Sequence, residues 1–198
     1  MKLPKLFFKA SIPADRVIIG TGNPSTPDAA RLSKAALEYG YVNQLVLPPF
    51  YYKSVGDDGL YDYFSYMIKT INSENLRIYL YHFPQVSMVP ISVDLVLRLK
   101  NEFGPIIAGL KDSSGDFSQS LAFTTATGGI NQDFDVYPSS EAFYFKGIQA
   151  GCAGIISGST NVFATLVQAA INSPEGPESN EFKKVIEARS FVGSFNLM

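Results

Sequence analysis

The sequence predicts an α/β protein whose six strand–helix units form an incomplete TIM (β/α)8 barrel, in a single domain over residues 1–198. Three observations lead to this prediction. Short apolar strands alternate with amphipathic helices along the chain, which is typical of parallel strands joined by right-handed helical crossovers. Polar or aromatic residues follow several of these strands, at the end of the sheet where barrel enzymes build their sites. The chain is long enough for one substantial core and short for two.

An open, doubly wound sheet is the alternative architecture, and it would use a glycine-rich turn to bind phosphate. Gly20 and Gly22 follow the first predicted strand, but Asn23, Pro24 and Ser25 come next. The third glycine of the dinucleotide-binding fingerprint is therefore missing. The barrel is the favoured architecture.

The first two units begin with short apolar strands at 17–20 and 44–48. Between them, Thr26 is placed to cap a helix that ends at Gly40. The next helix, from about 57 to 71, has an apolar face. This face is formed by Leu60, Phe64, Met67, Ile68 and Ile71.

The third unit begins with a strand at 77–84, whose proline, Pro84, falls at the end, where no ladder hydrogen bond is needed. Ser92 is placed to cap the following helix. The fourth strand, at 106–111, precedes a helix from about 117 to 127.

The last two units start with strands at 134–137 and 154–158, separated by a helix that ends near Ala150. Asn161 is placed to cap the helix that follows the sixth strand. A final helical segment is predicted at 181–195.

Lys111 is the residue that most suggests chemistry. The apolar run at 106–110 ends in this lysine, and a polar turn at 112–116 follows at once. A buried parallel strand with this pattern delivers one amine to the end of the sheet. The lysine is either the first solvated residue after the strand or a half-buried amine. Desolvation lowers the pKa of ammonium groups in general, and an amine of lowered pKa can attack a carbonyl and form a Schiff base.

The composition excludes several other classes of function. A hydrophobic content of 46%, a charged content of 17% and a net charge of −2 describe a compact soluble domain and give no reason to expect nucleic acid or membrane partners. Cys152 is the one cysteine and His82 the one histidine, which excludes an internal disulfide, a cysteine-based zinc site and a multi-histidine metal cluster. We find neither a secretory h-region nor a membrane span, and we expect a cytoplasmic protein.

Six short segments match the motifs of one protein family in order and at similar spacing. They are Gly-Thr-Gly at 20–22, Leu-Pro-Pro-Phe-Tyr-Tyr at 47–52, Gly-Leu-Tyr at 59–61, Tyr-His-Phe-Pro at 81–84, Gly-Leu-Lys-Asp-Ser-Ser-Gly-Asp at 109–116 and Gly-Ile-Ile-Ser-Gly at 154–158. The chain thereby resembles the dihydrodipicolinate synthase/N-acetylneuraminate lyase family of class I aldolases. The resemblance implies a barrel in which this chain supplies strands three to eight.

The resemblance also implies a mechanism without a cofactor or metal. Lys111 would form an imine with the ketone of a 2-oxo acid such as pyruvate, and the protonated imine would allow the adjacent carbon–carbon bond to form or break. Tyr81 would shuttle protons and bind the substrate. Tyr52, or Tyr51 if the alignment shifts by one residue, would reach the site of a partner subunit in a homo-oligomer. The pocket would be lined by Ser139 and Ile156, whereas His82 would turn toward a backbone partner.

Two departures from the family pattern limit what the resemblance implies. No Gly-Thr-Thr-Gly-Glu loop is present, and the regions corresponding to strands one and two and to the C-terminal helical segment are absent. Dihydrodipicolinate synthases have an arginine two residues after the proline of the Tyr-x-x-Pro motif, and this chain has Val86 there. A related 2-oxo-acid aldolase or lyase therefore fits better than an enzyme that uses aspartate-semialdehyde. The alternatives are a truncated, catalytically inactive member of the family and a pyruvate-binding module.

Overall fold

The computed structural model describes residue 10 and residues 12–195, which form a parallel sheet with helices packed against it. The strands are β1 (Ile19–Gly20), β2 (Asn43–Val46), β3 (Arg77–His82), β4 (Ile107–Asp112) and β5 (Asp135–Pro138). The α-helices are α1 (Thr26–Leu37), α2 (Asp57–Ile71), α3 (Pro84–Ser87), α4 (Val93–Phe103), α5 (Phe117–Thr127), α6 (Tyr144–Ala150), α7 (Thr160–Asn172) and α8 (Asn180–Gly193). The prediction of an α/β fold with parallel strands is confirmed.

The sheet has the order β1-β2-β3-β4-β5, and each neighbouring pair is parallel. Each strand therefore lies beside the next strand in the chain, with helical segments connecting them. This order is the one that successive right-handed crossovers produce in a barrel wall.

The described residues contain five strands rather than the predicted six, so the prediction of six complete units is not confirmed. The predicted strand at 154–158 runs beside β5 but joins it through two main-chain hydrogen bonds, from Ala153 N to Val136 O and from Ile156 N to Pro138 O, each 3.1 Å long. These contacts begin a pairing without continuing it into a ladder. An apolar run between glycines predicts a buried strand, but strand formation also requires consecutive partners along the neighbour.

The main core lies between the sheet and the helices on its outer face. Ile78, Leu80, Leu110 and Val136 point outward from the strands and are fully buried. They belong to one cluster with the apolar faces of α2, α4 and α5, represented by Phe64, Leu95, Leu99 and Phe123. Because side chains alternate along a strand, the residues between these positions point to the opposite, inner face.

Helices α7 and α8 pack on each other around a small core of their own. Its buried residues are Val167, Ala170 and Val185, with Phe163, Leu166, Ile171 and Phe182 packed against them. We call these two helices the C-terminal helix pair. None of the helices in the described part of the chain is long and apolar enough to span a membrane.

A buried ion pair joins α8 to the turn after β5. The carboxylate of Glu141 is 1% exposed and accepts a hydrogen bond of 2.7 Å from Arg189 Nη1. It also accepts hydrogen bonds from the hydroxyls of Ser159, at 2.8 Å, and Thr160, at 2.7 Å. Burial alone would raise the pKa of Glu141, but the hydrogen bonds from these hydroxyls outweigh it, and the pKa lies below its usual range.

Candidate active site

The inner face of the sheet carries two rows of side chains that run across β3, β4 and β5. Strand register places Tyr81 beside Lys111, and Lys111 beside Tyr137. Nearer the amino ends of the same strands, Tyr79 lies beside Gly109, and Gly109 beside Asp135. Because the residues of one row on adjacent strands point to the same side, Lys111 lies between two tyrosines.

Lys111 and Tyr81 are in direct contact. Lys111 Nζ donates a hydrogen bond of 3.1 Å to Tyr81 Oη and lies 4.3 Å from the centre of the Tyr81 ring. Both side chains belong to half-buried residues, and the Tyr81 ring stacks on Phe83 at 5.7 Å. The structure therefore brings together the amine and the phenol that the sequence predicts as partners, whereas their catalytic roles stay a prediction.

Asp135 links two tyrosines, Tyr79 in its own row and Tyr137 in the row of Lys111. Its Oδ2 accepts a hydrogen bond of 3.0 Å from Tyr79 Oη and a longer one of 3.4 Å from Tyr137 Oη. The two rings lie 6.0 Å apart, although β4 separates their strands. They meet over Gly109, where a Cβ atom would overlap the carbonyl oxygen of Asp135 and approach the Tyr79 ring to 2.8 Å. We call Tyr79, Asp135 and Tyr137 the tyrosine–aspartate cluster.

The two phenols of this cluster are hydrogen-bond donors at neutral pH. Burial, reinforced by the carboxylate of Asp135, raises the pKa of Tyr137 to about 12. The same two causes raise the pKa of Tyr79 still further. Since neither phenol loses its proton near pH 7, Asp135 accepts from both.

His82 points to the outer face, away from the lysine row. It is 3% exposed, its Nδ1 accepts a hydrogen bond of 3.0 Å from Ile91 N, and its ring packs on Phe123. Burial lowers the pKa of His82, although the charge of Asp112 acts in the opposite direction. The prediction that His82 turns toward a backbone partner is confirmed.

Tyr51 and Tyr52 lie in the connection between β2 and α2 and point into solvent. They are 74% and 63% exposed, and their rings contact each other edge to face at 5.4 Å. Lys53 fixes this connection by donating from Nζ to the carbonyl oxygens of Phe50 and Ser87. The surface is thus available for a subunit contact, and the role of Tyr52 stays a prediction.

Ser139 and Ile156 both lie at the carboxyl end of β5. Ser139 directly follows β5, and Ile156 N is bonded to the carbonyl oxygen of Pro138 at 3.1 Å. Both residues are half-buried. They lie at the same edge of the sheet as Lys111, and their role as pocket lining stays a prediction. Among residues 10 and 12–195, we find no group of three His, Cys, Asp or Glu residues that could hold a metal ion.

A model of the Dihydrodipicolinate synthetase family matches residues 6–186. The chain belongs to this family. An uncharacterized DapA-like lyase of Chloroflexus aurantiacus is 32% identical over 157 residues, which cover 79% of this chain and 51% of that protein. The 4-hydroxy-tetrahydrodipicolinate synthase of Bacillus subtilis is 30% identical over 166 residues, which cover 83% of this chain and 54% of that protein. The crystal structure of dihydrodipicolinate synthase from Agrobacterium tumefaciens matches with a TM-score of 0.81 and 34% identity, over 96% of this chain and 64% of that chain.

Membership of the dihydrodipicolinate synthetase family confirms the resemblance seen in the sequence. The chain spans about half the length of the curated relatives that it matches. The strand that carries Lys111 and the strand that carries Tyr81 both lie within the matched region.

Sequence reasoning missed the tyrosine–aspartate cluster, although it singled out Lys111, which lies beside Tyr137 in the sheet. A signal was present, because Asp135 and Tyr137 alternate with buried Phe134 and Val136, as Tyr79 and Tyr81 alternate with apolar neighbours. A charged residue in such a strand indicates a polar inner face. The family motifs do not include this part of the strand, so the resemblance could not supply it.

Proposed function

We propose that this protein is a Schiff-base-forming lyase or aldolase that acts on 2-oxo acids of the pyruvate type, with Lys111 as the nucleophile. The observation that carries the proposal is the contact of 3.1 Å between Lys111 Nζ and Tyr81 Oη on the inner face of the sheet. Membership of the dihydrodipicolinate synthetase family supports the same reaction class, since its matched members include a lyase and a synthase.

In this mechanism, Lys111 Nζ attacks the ketone carbon of the substrate after losing its proton. The carbinolamine that results loses the former ketone oxygen as water, and a protonated imine remains. When the adjacent carbon–carbon bond breaks, this cation accepts its electron pair and becomes a neutral enamine. When the bond forms, the imine first loses a proton from the carbon next to the imine carbon, and the resulting enamine supplies the electron pair of the new bond. In our proposal Tyr81 gives a proton to the departing oxygen and recovers one from the amine, a role supported by the 3.1 Å between its Oη and Lys111 Nζ.

We propose that the second substrate or leaving group differs from that of a dihydrodipicolinate synthase. Val86, on α3, stands where those enzymes have an arginine, and it is 62% exposed. An isopropyl side chain has no hydrogen-bond donor for a carboxylate, whereas a guanidinium binds one with two parallel bonds. A 2-oxo-acid aldolase that needs no second carboxylate contact at this position is consistent with the sequence.

Reductive trapping tests the proposal. Incubation with pyruvate followed by borohydride should add one reduced pyruvyl group, and peptide mass spectrometry should locate it at Lys111. Lys111→Arg should abolish the modification, whereas Lys34→Arg, on the surface of α1, should leave it unchanged. An unmodified Lys111 in the native protein would contradict the proposal. Tyr81→Phe should slow trapping by about 100-fold, the usual contribution of a general acid–base group.

The second candidate is a pyruvate-binding module or an inactive relative. The observation that favours it is Val86, whose side chain has no hydrogen-bond donor for the carboxylate of a second substrate, so that pyruvate can bind without a reaction partner. Calorimetry separates the two candidates. Saturable pyruvate binding without modification of Lys111 would select the module, and neither binding nor modification would select the inactive relative.

We also propose that the protein functions as a homo-oligomer in which Tyr51 and Tyr52 lie at a subunit contact. The support is the exposure of both rings on a connection that Lys53 holds in place. Light scattering should give a mass above that of the monomer. Tyr52→Ser should lower the association constant, whereas Tyr66→Ser, at an exposed tyrosine of α2, serves as the control.

A further inference from the structure

The tyrosine–aspartate cluster adjoins Lys111 on the inner face of the sheet: Tyr79 and Asp135 lie in the row below it, and Tyr137 lies beside it. Asp135 and Tyr137 are two residues apart on β5, and Tyr137 is the register partner of Lys111. Tyr79 is two residues before Tyr81 on β3. The cluster therefore adjoins both members of the Lys111–Tyr81 contact through the same strands.

Gly109 makes this arrangement possible. On β4 it lies between Tyr79 on one side and Asp135 on the other. Only Leu110, which points to the outer face, separates it from Lys111 along the strand. Because Gly109 has no side chain, the rings of Tyr79 and Tyr137 approach each other to 6.0 Å across β4. The inner face under Lys111 is thus filled by two rings from the neighbouring strands instead of a side chain from its own strand.

Asp135 fixes the positions of these rings. Tyr79 Oη donates to its Oδ2 at 3.0 Å, and Tyr137 Oη donates to the same oxygen at 3.4 Å. A hydrogen bond to a charged acceptor is stronger than one between neutral groups, and both bonds lie in a partly desolvated place. The carboxylate therefore joins β3 to β5 across the strand that carries the lysine.

We propose that Asp135, acting through Tyr79 and Tyr137, is a positioning residue for the reaction of Lys111. The inference rests on the proposed function and extends it to three residues outside the family motifs. The ring of Tyr79 supports the lysine chain from the row below and the ring of Tyr137 from the side, and together they keep Nζ at the Tyr81 hydroxyl, so that the amine meets the ketone carbon in one orientation. Asp135 touches neither substrate nor reacting atoms in this role.

The test compares the rate of pyruvate trapping at Lys111 in matched variants. Asp135→Asn replaces the charged acceptor by an amide of the same size. Tyr79→Phe keeps the ring and removes the shorter hydrogen bond. Asp133→Asn is the control, because Asp133 is exposed in the turn before β5, and asparagine accepts its left-handed backbone, with φ of 51°, as readily as aspartate.

We expect Asp135→Asn and Tyr79→Phe each to lower the maximal trapping rate by about 10-fold, because small displacements of a reacting group have effects of this size or larger. The pyruvate concentration at half-maximal rate and the final extent of modification should stay unchanged. The double variant should be no slower than the slower single variant, since both substitutions disable one unit. Asp133→Asn should react at the native rate.

Each other outcome has a definite meaning. Native rates in Asp135→Asn and Tyr79→Phe would overturn the inference and leave the proposed function standing. A lower extent of modification with an unchanged rate would show that the cluster only stabilises the fold, which also overturns it. If Asp135→Asn does not fold, Tyr79→Phe and Tyr137→Phe decide by the same rate criterion. A native protein that is not modified at Lys111 would remove the proposed function and this inference together.

Discussion

The sheet with its outer helices and the C-terminal helix pair are stabilised by different interactions. The first has a continuous apolar core in which Phe64, Leu80 and Leu110 are fully buried. The second has a small core and is anchored to the sheet region by the buried pair of Glu141 and Arg189. Apolar burial depends on area and shape, whereas a buried ion pair depends on both partners keeping their charges.

This difference separates the region that carries the lysine from the region that covers the end of β5. Lys111 lies on a strand whose outward neighbours belong to the main core, so its backbone is held independently of the C-terminal helix pair. Ser139 and Ile156 lie at the carboxyl end of β5, shortly before Glu141 and Ser159, which bond to Arg189 of the helix pair. The helix pair should therefore respond to charge and pH while the lysine strand stays in place.

Arg189→Gln should have the largest effect on stability. It leaves the carboxylate of Glu141, which is 1% exposed, without its counter-ion, and unpaired charges of this kind cost about 3–5 kcal/mol. Glu141→Gln should cost less, because the Arg189 side chain is 23% exposed and can turn toward water. Urea unfolding measures the free-energy loss in each variant. In both variants, amide hydrogen exchange should become faster in α7 and α8 than in the native protein, while β4 stays protected. Equal losses of stability in the two variants would show that the deeper burial of Glu141 does not make its unpaired charge the more costly one.

A pair of valine truncations compares the two cores directly. Val136→Ala, at a fully buried position of the main core, should cost about 1.5–3 kcal/mol, the value of two methyl groups plus the cavity that they leave. Val167→Ala, in the small core, should cost about 1 kcal/mol, because the two helices can move together over the gap. Chemical denaturation gives both values. A greater loss at Val167 would mean that the helix pair and the sheet share one core.

Removal of a helix cap should have a smaller effect on stability, and it should destabilise only the region of the sheet and its outer helices. Ser92 Oγ accepts a hydrogen bond of 3.0 Å from Leu95 N at the start of α4 and donates one to the exposed carboxylate of Asp57 on α2. Ser92→Ala removes both and should cost about 1 kcal/mol, mostly through the cap. Ser25→Ala is the matched control, since Ser25 occupies the same position before α1 and its side chain accepts no hydrogen bond from the backbone N–H groups of the helix. Thermal melts of the two variants should differ, and identical melting temperatures would argue against the cap.

Mild acid should have the weakest effect, confined to the helix pair. The pKa of Glu141 is lower in the folded protein than in the unfolded chain, so its contribution to stability is complete above the unfolded value and is lost as the pH falls through the folded value. Exchange of the α8 amides should therefore increase below about pH 4, near and below the usual range of glutamate. This increase in exchange at low pH should disappear in Glu141→Gln. A pH profile that is the same in both proteins would contradict the assignment.

Local patterns were enough to predict the elements with strong periodicity. The helices at 57–71 and 117–127 end in the structure where the apolar spacing and the flanking residues predict. Caps were less certain, since Ser25 and Ser159, rather than Thr26 and Asn161, precede the helices α1 and α7. Several small polar residues follow one another at these helix starts, and each of them is a favourable N-cap, so the sequence alone does not decide which residue occupies the N-cap position.

The polar contacts between distant residues could not be predicted in the same way. The hydrogen bond between Tyr79 and Asp135 joins residues that are 56 positions apart, and it exists because Gly109 lets both reach the same place. Pairing of Lys111 with Tyr81 was predictable only because both belong to family motifs. The segment at 154–158 has the composition of a strand, yet its pairing depends on neighbours that the pattern does not contain.

Gly109 also restricts how this part of the molecule can vary. A single methyl group at this position would collide with the main chain of the adjacent strand, and rotation of a side chain cannot relieve a collision with a carbonyl oxygen. Even alanine, the most conservative replacement, would push β4 and β5 apart two residues before Lys111. Gly20 of β1 has open space where a Cβ atom would lie, whereas Gly109 has none, so these two glycines of the sheet should differ sharply in their tolerance of substitution.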